Sequence, residues 1–93
     1  MRLPNPVRFF RIHKARRRIL SGVDRYLVSD RTGFRNFRTG AVTTIFNENP
    51  DILQEVVRHK IPHEEVARVL AEAKRGTTAK EHLANIRALM PKE

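Results

Sequence analysis

RYLVSDRTGFRNFRTGAVTTIF, residues 25–46, is the stretch whose reading decides the fold. RYLVS has strand composition, DRTG carries a turn signal ending in glycine, and FRNFR sets phenylalanine and arginine at close to alternate positions. On that reading residues 25–29 pair with 34–38 in a short β-hairpin, with Arg35 and Arg38 on its open face. A second reading starts a helix near Thr32. GAVTTIF is open in the same way, because its β-branched residues lean to strand while the period over so few residues fits either form.

The flanks are easier. Asn5-Pro6 reads as an N-cap followed by proline at the first helical position; Phe9, Ile12, Ile19 and Val23 fall near one face, and Gly22 can close a helix over residues 6–21. NPDILQEVVRHK repeats that grammar, with Asn49 as cap, Pro50 first, and Ile52, Leu53, Val56 and Val57 on one side. IPHEEVARVLAEAKRG starts at Pro62, places Glu64 and Glu65 at the positive end of a helix dipole, and stops at Gly76. A last helix runs from Thr78 to Met90, before Pro91. The fold class is therefore mainly α: a basic N-terminal helix or arm, a short β-hairpin if residues 25–38 pair, then three amphipathic helices.

Charge divides the chain in two. Residues 1–40 hold eleven Lys and Arg against Asp24 and Asp30, whereas residues 41–93 hold eight of each sign. The whole excess of +9 thus belongs to an arginine-rich arm, 1–40, and the helical part, 41–93, is neutral. All but one of the arm's cations are arginine, whose planar fork matches phosphate oxygens in pairs and stacks on flat rings, as the hydrated ammonium of lysine does not. Five of the six aromatics (Phe9, Phe10, Tyr26, Phe34, Phe37) lie among them, in reach of bases, although Phe34 and Phe37 read most simply as a local core. The RNA-binding candidates are Arg8, Arg11, Lys14, Arg16, Arg17, Arg18, Arg25, Arg31, Arg35 and Arg38.

Little else carries chemistry. With no cysteine there is neither a disulfide nor a thiolate site, and no run of eighteen apolar residues spans a membrane. His59 and His63 have the four-residue spacing of zinc ligands, but Pro62 breaks the turn they would share and no third ligand is near. Ser21 and Ser29 lack a nucleophile context, and no phosphate loop is present. The expectation is a protein that is not an enzyme and has no metal or cofactor. A 93-residue chain hides only roughly 60–65 % of its unfolded surface, so a partner is expected to complete it. Residues 1–23, with seven basic side chains and no acid, also have the composition of a mitochondrial import segment. They are expected to serve as an import signal and to stay on the chain as a working arm.

GFRNF (residues 33–37), then Asn49-Pro50, Pro62 and TAKEHLANIRAL as a closing helix, resemble the thioredoxin-like family shared by mitochondrial ribosomal proteins and a small accessory subunit of respiratory complex I. The resemblance spans roughly residues 23–90 and implies an α/β alternative to the helical fold, with a helix opened by G-x-R-x-F, a strand after the N-P pair, and a permanently assembled, non-catalytic role. The functional expectation is a structural subunit of a large ribonucleoprotein, most simply a mitochondrial ribosome in the matrix. Residues 1–40 would lie on rRNA and the 50–90 helices on neighbouring ribosomal proteins. Two alternatives stand beside it. One is an accessory subunit of a respiratory complex. The other is a free-standing regulator in which residues 62–75 and 78–90 form a helix-turn-helix presenting Lys80, His82, Asn85 and Arg87 to bases. A helix-turn-helix wants its positive field around the recognition helix, and here the field lies at the other end.

Overall fold

The computed structural model describes the backbone of residues 6–27 and 34–91, and side chains within 10–27 and 37–91. Five helices follow one another: α1 (Pro6–Tyr26), α2 (Phe34–Glu48), α3 (Asp51–Arg58), α4 (His63–Glu72) and α5 (Ala79–Arg87). No strand occurs among the described residues, so the fold is mainly α. The hairpin does not form. Arg25 and Tyr26 finish α1, and Phe34 to Arg38 open α2; the DRTG turn and the last two residues of RYLVS lie outside the described residues. The G-x-R-x-F segment does open a helix and TAKEHLANIRAL does close the chain as one, but the strand implied after Asn49-Pro50 is α3.

Tertiary burial overrides strand propensity in GAVTTIF. Val42, Ile45 and Phe46 recur at helical spacing and are all buried, a stripe a strand could not place on one side. The threonines fit because Thr43 Oγ1 donates to the Thr39 carbonyl at 2.8 Å and Thr44 Oγ1 to that of Gly40 at 3.1 Å, the i−4 bond available to a hydroxyl inside a helix. Phe37 is not core but 72 % exposed, because the stripe of α2 begins one position on, at Arg38.

Gly22 likewise does not end its helix, and α1 continues to Tyr26. A Cβ at Gly22 would stand 2.6 Å from the Cβ of Ala67, so glycine is there for close approach to α4 rather than for a left-handed cap. Ala15, Ile19 and Val23 of α1 are buried, and this helix packs most extensively on α4, then on α2 and α3. The core thus draws on both charge halves, with Ile52 and Val56 from α3, Val66 and Leu70 from α4, and Leu83 and Ile86 from α5.

Helix ends also depart from expectation. Asn49 caps backwards: its Nδ2 donates to the Ile45 carbonyl at 3.1 Å, closing α2, and Pro50 takes the N-cap position of α3. After α3, Lys60 adopts φ 55°, with its N–H on the Val57 carbonyl (3.2 Å) and that of Ile61 on the Val56 carbonyl (3.1 Å). These are the two bonds of a Schellman ending, completed by burial of Ile61. α4 stops at Glu72, short of Arg75. Thr78 and Glu81 form a reciprocal capping box that starts α5, and the bonds Glu81 receives hold its carboxyl below the ordinary range.

Candidate nucleic-acid interface

Apolar residues at 12, 15, 19 and 23 turn one side of α1 inward, so the positions between them must face out. Lys14, Arg17, Arg18 and Arg25 emerge there, together with Phe10, Ser21 and His13, and all are exposed. Pro62, His63 and Glu64, from the start of α4, stand opposite. Between the two elements lies an open cleft of about 850 Å³ whose floor includes Gly22. The close Gly22–Ala67 approach is what brings the start of α4 up to the basic side of α1.

Carboxylate pairing distinguishes this face from two arginines elsewhere. Arg68 pairs with Glu65 (3.6 Å) and Glu72 (3.3 Å), and Arg87 with Glu55 (3.5 Å). No such ion pair engages Lys14, Arg17, Arg18 or Arg25 among the described residues. Lys14 and Arg18 are four apart on one helix, an arrangement that costs about 0.2–0.5 kcal/mol when both are positive. His63 senses this field: burial first, then Arg18 and Lys14, push its pKa below the usual value of 6.5. A polyanion removes the repulsion and releases its own counterions.

Of the ten sequence candidates, the structure gathers Lys14, Arg17, Arg18 and Arg25 on the cleft. Arg11 is exposed but does not line it. Arg16 turns toward α2, where its Nη2 donates to Asn47 Oδ1 at 2.6 Å. The side chains of Arg8, Arg31 and Arg35 lie outside the described residues.

Arg38 is the clear correction, because it is 3 % exposed. Its Nη1 donates to the Leu70 carbonyl (3.1 Å) and its Nη2 to the carbonyls of Ala73 (2.8 Å) and Lys74 (3.2 Å). The Leu70 and Ala73 carbonyls stand at the negative end of α4 and that of Lys74, which also accepts from Thr77 N–H and Oγ1, follows just beyond; a guanidinium fork suits them as well as it suits phosphate. His82 Nε2 lies 3.1 Å from the same Nη1. Arginine has only donors, so Nε2 accepts and the ring proton sits on Nδ1, which is buried without a partner among the described residues. Burial first, then Arg38, lowers the His82 pKa, so the ring is held neutral.

The α4 side of the cleft was missed in the sequence, since helical spacing within α1 says nothing about which helix stands across from it. His59 and His63 sit on different elements, with His59 beside Arg58 Nη2 at 3.3 Å and His63 on the cleft. No group of three or more His, Cys, Asp or Glu among the described residues could hold a metal ion. Nor is any described helix long and apolar enough to cross a membrane.

Fold and cleft together define a small helical module with a cationic face edged by an aromatic ring, its lysine and arginines without an ion pair among the described residues. Its similarity is to a ribosomal protein: it is 35 % identical over 78 residues to "Large ribosomal subunit protein uL24" of Phytoplasma australiense, a match covering 80 % of this chain. The chain spans 64 % of that relative's length. No family profile matches the sequence, and no solved structure matches the fold.

Proposed function

We propose that this protein is a non-catalytic, RNA-contacting subunit of a ribosomal particle, seated on rRNA through the basic face of α1 and on neighbouring ribosomal proteins through the α3–α5 side. The observation that carries the reading is the set of four cations, Lys14, Arg17, Arg18 and Arg25, gathered beside exposed Phe10 with no carboxylate partner among the described residues, whereas Arg68 and Arg87 are paired. The likeness to a ribosomal protein supports it. The mitochondrial setting is the finer part of the proposal, and it rests on the import-like composition of residues 1–23 alone. The thioredoxin-like resemblance adds only a second pointer to an assembled subunit.

The helix-turn-helix alternative loses its base-reading set. His82 is buried against Arg38 and Arg87 is tied to Glu55, which leaves Lys80 and Asn85 exposed on α5.

Binding of an rRNA fragment as a function of salt tests the proposal. Four neutralised phosphates on a single strand give a slope of log K against log salt of about −2.8, and Arg17→Gln with Arg18→Gln should halve it. Binding that ignores salt, or a native protein that fails to sediment with ribosomal particles, would refute it. Targeting by residues 1–23 is checked separately, by whether they carry a fused reporter into mitochondria.

A further inference from the structure

We propose that the cleft between α1 and the start of α4 takes unpaired nucleotides, one base stacking on Phe10 while the strand's phosphates run along Lys14, Arg17, Arg18 and Arg25; this deepens the RNA reading above and rests on it. Shape argues first. A cleft of about 850 Å³ is of the size that encloses a compact organic ligand, so it admits a base with its sugar. A duplex keeps its bases stacked inside and meets such a cleft only at the rim.

Chemistry argues the same way. Phe10 is 71 % exposed at one end of the cationic row, an aromatic face kept in water although burying it would be favourable. Every base offers a π-face to such a ring, whatever the sequence. From Lys14 to Arg25 the helix rises about 16 Å, the length of roughly five nucleotides of a stacked strand. Glu64 is the carboxylate on the lining, at the α4 wall. It repels phosphate and accepts N–H, so that wall suits a base edge and the α1 wall suits the backbone.

The test is fluorescence anisotropy of the full chain with a ten-nucleotide unpaired oligoribonucleotide and with a fully paired RNA hairpin of the same composition, closed by a non-nucleotide linker so that no base is unpaired. The unpaired strand should bind more tightly. Phe10→Ala and Phe10→Leu should each weaken it about 5- to 100-fold while changing hairpin binding less than twofold, and Phe10→Trp should restore it. Equal loss on both RNAs, or no loss on either, overturns the inference. Equal affinity of the wild-type chain for both forms overturns it too, but leaves the RNA-contacting role standing. Failure to bind either RNA overturns both.

Discussion

Replacing Arg38 with methionine keeps an unbranched apolar stem and removes the fork at its end. Four acceptors then lose a donor, the Leu70, Ala73 and Lys74 carbonyls and His82 Nε2, although the Lys74 carbonyl keeps the N–H and Oγ1 of Thr77. Ala73 and Lys74 border an exposed turn, where water can replace the guanidinium. Leu70 and His82 are buried, and each acceptor stranded there costs about 1–3 kcal/mol. The methionine stem fills most of the vacated volume and a buried charge is removed, which offsets part of the loss. The net expectation is a destabilisation of about 3 kcal/mol, a large fraction of the roughly 5–15 kcal/mol that holds a typical domain. Urea denaturation followed by circular dichroism at 222 nm measures it. Arg38→Lys should recover about half, since one ammonium cannot span acceptors on both sides of the fork. A loss under about 1 kcal/mol would refute the capping role. RNA affinity of the folded variant that fell as far as in the Arg17 and Arg18 variants would return Arg38 to the interface.

The remaining expectations concern the same skeleton. His82 has a folded pKa below its unfolded 6.5, so the unfolded chain binds more protons in the window between the two values, and its contribution is full above 6.5 and lost as pH falls through that window; thermal melts across this range should show stability rising with pH, and His82→Gln should flatten the rise. Gly22→Ala should destabilise by about 1–3 kcal/mol, because the added Cβ meets Ala67 at 2.6 Å, whereas helix propensity alone predicts a gain of about 1 kcal/mol; the sign of the shift in urea midpoint separates the two. Lys60→Gly should stabilise by about 0.5–1 kcal/mol, measured in the same titration, by relieving a left-handed residue at φ 55°. RNA binding should strengthen as pH falls below about 6.5, since phosphate beside Arg18 and Lys14 favours the charged form of His63; anisotropy that is flat with pH would contradict this.

Local rules in the sequence were enough for α3, α4 and α5, because each carries its own apolar stripe, and the Thr78–Glu81 box is written at fixed spacing. The uneven charge was equally legible, since counting needs no coordinates, and it found four of the cations that line the cleft. Three things were decided only by tertiary contact. GAVTTIF became helix because Val42, Ile45 and Phe46 gain a common core there, which outweighs a propensity difference of a few tenths of a kcal/mol per residue. Gly22 reads as a helix-closing cap until Ala67, forty-five positions away, is placed against it. Arg38 and Arg18 look alike on paper, because both are arginines in a basic stretch. What separates them is their surroundings: Arg38 meets the carbonyl end of α4, whereas Arg18 faces the open cleft, and that juxtaposition exists only once the chain has folded.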